Sequence, residues 1–178
     1  YDGKVYHFNK AVVDDYDKTI SAMSSKGMTV TAIILNDWNP ATPELVYPGT
    51  KKASNAFYYM FNAATQKGFE ETRAIAAFLA EHYNGSNPKA GKVSNWIIGN
   101  EINNQQWNYM GPMDLTNYVK AFQQAFRVFY TAIKSTSAND RVYFSLDYYW
   151  NSAGDNSLRY TGREIMESFN AMCIVQGQ

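Results

Sequence analysis

Apolar and polar positions follow two periods along the chain, and the switches between them mark the elements. Residues 4–9, Lys-Val-Tyr-His-Phe-Asn, read as a short strand. Over residues 11–26 the side chains of Val13, Tyr16, Ile20 and Met23 fall on one helical face, and Gly27 supplies a C-terminal stop. Residues 28–36 are a β-branched run, the pattern of a buried strand. Pro40, Pro43, Pro48 and Gly49 then break residues 37–56 into a long loop, and long loops in compact domains are often functional. Residues 57–64 read as a short helix. A longer helix is expected over 68–83, with Thr72, Ile75, Phe78, Leu79 and His82 at helical spacing. A polar loop at 84–91 leads to a second buried strand at 93–101, followed by an Asn-, Gln- and Trp-containing loop to Pro112. The clearest helical pattern runs over 114–135. There Leu115, Tyr118, Val119, Phe122, Phe126, Phe129 and Ile133 keep the 3-4 spacing behind Asp114, a fitting N-cap. Residues 141–149 read as a further strand and 162–173 as a last helix.

Strand and helix alternate four times, which implies an α/β fold with a parallel sheet and right-handed crossovers. No repeat, low-complexity segment or linker interrupts residues 1–178, so one domain is expected. Two architectures fit: a doubly wound open sheet, and part of an eight-stranded β/α barrel. No Gly-x-Gly-x-x-Gly or phosphate loop follows any strand, which weakens a nucleotide-binding open sheet.

Composition narrows the classes. With 46% apolar and 18% charged residues the chain folds around a core. Sixteen Lys and Arg balance sixteen Asp and Glu, which argues against a nucleic-acid binder or a basic membrane-surface protein. No apolar run approaches the ~18 residues of a membrane span. A single cysteine, Cys173, leaves no internal disulfide and no cysteine-based zinc site. With only His7 and His82 beside it, no metal site is expected. Nothing next to Cys173 would lower its pKa, so it reads as buried and inert. The chain starts at Tyr1, the expectation for a processed protein or a fragment. The unusual figure is 16% aromatic residues, among them 14 Tyr and 4 Trp. Together with many Asn they suit a surface that stacks on sugar rings and hydrogen-bonds hydroxyls; a Tyr-rich core is the plainer alternative.

In parallel β/α folds chemistry gathers where strands enter the following helix. The four strand ends read His7-Phe8-Asn9, Asn36-Asp37-Trp38-Asn39, Gly99-Asn100-Glu101-Ile102-Asn103 and Asp147-Tyr148-Tyr149-Trp150-Asn151, whereas the strand starts carry only Lys4, Lys92 and Arg141. Glu101 leaves the apolar run Trp96-Ile97-Ile98 and is expected to be partly buried. Burial raises a carboxyl pKa and suits it to donate a proton near neutral pH. A loop cap or a partner for Lys or Arg is the alternative role. Trp38, Trp107 and Trp150, each in a loop after a strand, are candidate sugar platforms, and Trp96 a core residue. His7 reads as a hydroxyl ligand or a structural histidine, and His82 as structural.

Gly99-Asn100-Glu101, at the end of an apolar strand among β/α units, resembles the fourth-strand signature of the retaining glycoside hydrolases with a β/α barrel. That clan includes cellulases, β-galactosidases, β-xylosidases and endo-mannanases. The wider run Trp96–Asn103, with Tyr143-Phe144-Ser145-Leu146-Asp147 downstream, also resembles a poorly characterised bacterial branch of that superfamily. The resemblance implies a TIM-type (β/α) barrel of which this chain holds about strands two to five. It implies Glu101 as general acid/base, Asn100 on the sugar 2-hydroxyl, and Asn103, Trp107, Asp37, Trp38, Asp147, Trp150 and His7 around the substrate. The clan's nucleophile, a Glu after strand seven, has no counterpart here, so the remaining barrel segment or another copy of the chain is an expected partner. The implied substrate is a poly- or oligosaccharide. No cofactor is implied, and a secreted or cell-surface setting follows by analogy with polysaccharide-degrading enzymes. Two other classes compete: a non-catalytic carbohydrate-binding protein that keeps the aromatic rim, and an open α/β domain with a phosphorylated ligand.

Overall fold

A computed structural model describes residues 1–176. Helix α1 covers Lys10–Ser24, strand β1 Thr31–Ile34, helix α2 Gln66–His82 and strand β2 Asn95–Ile98. Helix α3 follows at Leu115–Thr136, strand β3 at Arg141–Tyr143 and helix α4 at Gly162–Val175. Each α-helix begins where a side-chain oxygen takes up free backbone N–H groups. Asn9 caps Ala11 and Val12, Thr65 caps Gly68, and Asp114 caps Asn117. Thr161 and Glu164 cap each other reciprocally at the start of α4. A 3-10 turn, Pro43–Leu45, interrupts the long loop after β1.

The three strands form one parallel sheet in the order β1-β2-β3, with Ile34 opposite Ile98 and Ile97 opposite Tyr143. Alternate residues Ala32, Ile34, Trp96, Ile98 and Val142 pack on apolar side chains of α1, α2 and α3, including Ile20, Ala76, Ala80, Ala125, Phe129 and Ile133. The opposite face keeps Ile33 and Tyr143 exposed. The strand order therefore does not reverse, and the packed helices lie on one face; a doubly wound sheet has helices on both. A second apolar cluster, built on Ile102, Tyr118, Val119, Phe122 and Ile165, lies between α3, α4 and the loop after β2.

Three expectations need correction. Residues 4–9 are not a strand, so among the described residues three β units stand where four were expected. Lys4 is paired with Glu70, Phe8 is stacked on Phe78 and Asn9 is engaged as a helix cap, while Val5 is 82% exposed. β-propensity without a pairing neighbour does not make a strand. Residues 57–64 are extended, not helical. Tyr59, Met60 and Phe61 are buried in succession between the end of β1 and the loop after β2, where Tyr59 N–H donates to Asn36 O at 2.8 Å and Met60 N–H to Tyr109 O at 2.9 Å. The three strands are also shorter than their apolar runs, because the chain turns after Ile98 and becomes irregular after Tyr143.

Asn62 fixes the entry to α2. Its amide donates to Glu44 O and Thr65 Oγ1, both at 2.8 Å, and accepts from Ala64 N–H. Gly68 lies so close that a Cβ there would meet the Asn62 amide nitrogen at 2.1 Å. The long loop is thereby tied to the helix that follows it.

Candidate functional site

The site is built on the turn that ends β2. Gly99 takes φ +73°, and a Cβ there would meet Ile102 Cγ2 at 2.8 Å, so the turn needs glycine at its start. Two residues on, Glu101 adopts φ +42°. Left-handed backbone costs a non-glycine residue roughly 1–2 kcal/mol, and such strain clusters at functional sites. Both neighbouring strands hold the turn. Gly99 N–H donates to Ile34 O of β1 at 2.9 Å. On the β3 side, Glu101 N–H donates to Ser145 Oγ at 2.9 Å and Ile102 N–H to Ser145 O at 2.9 Å. Glu101 O closes the turn by accepting Asn104 N–H at 2.8 Å.

Glu101 is half-buried, and among the described residues its carboxylate has no hydrogen-bond donor and no cation. Asn100 beside it accepts from Ser145 Oγ at 3.5 Å. A free carboxylate beside an anchored amide can give or take a proton while the amide binds a hydroxyl.

The residues that follow form a buried hydrogen-bonded support. Asn103 is fully buried, donating to Asp147 Oδ1 at 2.5 Å and accepting Asp147 N–H at 2.8 Å. Asp147 in turn lies 3.1 Å from Arg159 Nε, an ion-pair distance without hydrogen-bond alignment, and Arg159 sits 3.9 Å over the ring of Tyr149. Tyr118, also fully buried, donates its hydroxyl to Ile102 O at 2.6 Å and accepts from Asn108 Nδ2 at 3.0 Å. Burial pushes the phenols of Tyr118 and Tyr160 up, so both remain protonated donors. Tyr160 donates to Met113 O at 2.5 Å and is reached by Gln105 Nε2.

The other expected site residues scatter around this turn. Asp37 is exposed after β1 and accepts Trp38 N–H at 2.7 Å; Trp38 is half-buried against Tyr59. Trp107 is half-buried and stacked on Phe57, with ring centroids 4.8 Å apart, and on Tyr58. Trp150 is 46% exposed and rests on Gly162. His7 is exposed on a segment outside the sheet, so no strand end carries it to the rim. Trp96 is buried in the core, and His82 joins α2 to α1 through Asp17 at 2.8 Å. Cys173 is half-buried and accepts from Gln123. Two cavities, of about 670 and 520 Å³, lie elsewhere: one is lined by residues of α2 and α3, the other by α1, the free edge of β1 and α2, and neither has Glu101 in its wall.

Sequence reasoning missed Ser145 and Arg159. Ser145 carried a signal, a small hydroxyl residue inside a strand-like run two residues before Asp147. Its meaning needs the pairing of β2 with β3, beyond whose last partners, Ile97 and Tyr143, Ser145 meets Glu101 and Ile102. Arg159, in a loop, carried none. Among the described residues no three His, Cys, Asp or Glu side chains cluster as a metal site requires, and no helix is long and apolar enough to cross a membrane.

The chain belongs to a family of unknown function, DUF5722, whose model matches residues 1–178. No curated protein and no solved structure matches it.

Proposed function

We propose that the protein hydrolyses O-glycosidic bonds of a poly- or oligosaccharide with retention, with Glu101 as acid/base and Asn100 on the sugar hydroxyl beside the reacting carbon. The observation that carries the reading is the half-buried Glu101 carboxylate. It has no partner among the described residues and sits on strained backbone at the C-terminal end of the central strand. A structural glutamate would be capped or paired, as Glu164 is by Thr161. The sequential strand order with helices on one face also fits an arc of a β/α barrel, in which catalytic groups stand at the strand ends.

In this reaction the Glu101 carboxylic acid gives its proton to the glycosidic oxygen as the anomeric C–O bond breaks. A second carboxylate ~5–5.5 Å away forms the new bond to the anomeric carbon. The Glu101 carboxylate then takes a proton from water, whose oxygen displaces the second carboxylate. Asp147 is engaged with Asn103 and Arg159, and the nucleophile that the glycosidase resemblance implies has no counterpart in this sequence, so the second carboxylate is assigned to a further segment or to a second copy of the chain. The two-carboxylate reaction uses no cofactor.

The test is Glu101→Gln in the full-length protein, assayed on 4-nitrophenyl β-glycosides and on soluble glucans, xylans and mannans. Loss of at least a hundredfold in turnover on unactivated glycans is expected; unchanged turnover refutes the assignment. A second reading, a non-catalytic glycan binder, is favoured by one observation: Tyr148, 84% exposed, stands propped on Tyr149 with ring centroids 4.3 Å apart. Glycan binding without any turnover in the unmodified protein would select it.

A further inference from the structure

We propose that Ser145 is the positioning residue of the Asn100–Glu101 pair, an inference that rests on the acid/base reading of Glu101. Ser145 follows β3, yet it touches three consecutive residues of the turn after β2. Its Oγ accepts Glu101 N–H at 2.9 Å, its hydroxyl proton points to Asn100 Oδ1 at 3.5 Å, and its carbonyl accepts Ile102 N–H at 2.9 Å. In a regular parallel ladder strand carbonyls take up the N–H groups of the neighbouring strand. Here a side-chain hydroxyl takes that place for Glu101, and the backbone is free to swing to φ +42°.

The hydroxyl has one proton and two lone pairs, and both neighbours use it in complementary senses. Donation to Asn100 Oδ1 turns the Asn100 Nδ2 donor away from Ser145, the orientation needed to bind a sugar hydroxyl oxygen. Acceptance from Glu101 N–H fixes the peptide from which the acid side chain springs. Loss of Oγ leaves a half-buried N–H and an amide oxygen without partners, and it frees both side chains to rotate. A displacement of about 1 Å at a reacting group lowers rates about a hundredfold. Ser145 touches no substrate in this scheme and acts only through Asn100 and Glu101.

The test compares Ser145→Ala, Ser145→Thr and Glu101→Gln in the full-length protein on 4-nitrophenyl β-glycosides and on unactivated oligosaccharides. Expected for Ser145→Ala is a 10- to 100-fold loss of kcat with KM changed less than threefold, and a displaced alkaline limb of the kcat/KM pH profile. Ser145→Thr, which keeps the hydroxyl, recovers most of the rate. Amide exchange at Glu101, read by NMR, rises about tenfold in the Ala variant and not in the Thr variant, which separates a lost hydrogen bond from general misfolding. Glu101→Gln inactive with Ser145→Ala at wild-type rate and pH profile overturns the role of Ser145 and leaves the acid/base reading standing. Glu101→Gln at full rate overturns that reading and the positioning role with it.

Discussion

Replacing Glu101 by glycine removes an ionisable side chain from the site, and it is expected to make the protein more stable. The residue holds φ +42°, where a side chain at Cβ costs roughly 1–2 kcal/mol and glycine costs nothing. Glycine gives back roughly 0.5–1 kcal/mol through the added freedom of the unfolded chain. The carboxylate has no partner among the described residues, so no polar contact is lost with it. The backbone bonds to Ser145 and Asn104 do not depend on the side chain. The net is a gain of about 0.5–1 kcal/mol, or about 1–4 °C in Tm for a domain of this size. Glu101→Ala is the control, because it deletes the carboxylate and keeps the Cβ. It is expected near wild type and about 0.5–1 kcal/mol below the glycine variant. Urea unfolding at one pH, with m unchanged and only the midpoint moving, reads the difference. A glycine variant that unfolds at lower urea than both wild type and Glu101→Ala refutes the strain argument and makes Glu101 a structural anchor.

Three further outcomes follow from the packing. Tyr118→Phe leaves Ile102 O and Asn108 Nδ2 without the buried hydroxyl and costs about 2 kcal/mol in urea unfolding; a loss below about 0.5 kcal/mol means the network rearranges at no cost. Gly68→Ala drives a Cβ into the amide of Asn62 and costs about 3 kcal/mol or more, seen as a fall in Tm of several degrees, and a neutral result shows that Asn62 can move. The Glu164 carboxyl is held below its ordinary value of 4.5 by the Thr161 hydroxyl and N–H. Its contribution is therefore complete above that ordinary value and is lost as pH falls through the lowered one. The stability gap between wild type and Glu164→Gln is expected to be constant from pH 7 to 5.5 and to shrink below pH 4.5; a gap that widens on acidification contradicts the cap.

Features fixed by contacts a few residues apart were legible in the sequence. Asp114 and the 3-4 apolar spacing of α3 are local, and that helix starts where local chemistry puts it. Residues 57–64 and 4–9 depend on distant partners. The first is extended because Asn36 and Tyr109 offer backbone partners on either side. The second has strand-like residues and no strand beside it. The same divide runs through the site. Asn100 and Glu101 could be singled out because a polar pair ends an apolar run, but the left-handed backbone of Glu101 depends on Ser145, 44 residues away. Asn103 and Asp147 both read as free polar groups, and each satisfies the other across an equal separation.

That pairing changes what the polar run after β2 does. Asn103, Asn104, Gln105 and Asn108 are all buried, and a buried amide without partners costs roughly 1–3 kcal/mol. Asn103 is hydrogen-bonded to Asp147 and to Tyr160 O, Gln105 to the Tyr160 hydroxyl and Met110 N–H, and Asn108 to Tyr118, while Asn104 accepts Gln106 N–H; together these tie the loop to α3, to the loop after β3 and to the segment that leads into α4. The Asn-rich composition that suggested sugar hydroxyls is thus divided at Ile102. Asn100 and Glu101 before it remain available, and the residues after it form a rigid underside. A left-handed acidic residue persists only when its surroundings over-determine it. In this turn β1 fixes Gly99, Ser145 fixes Glu101, and Tyr118 fixes the carbonyl of Ile102. On the proposed acid/base reading of Glu101, substitutions in the underside should therefore act through the position of Glu101, lowering kcat more than substrate affinity, whereas substitutions at Trp107 or Trp150, the proposed sugar platforms, should act on KM.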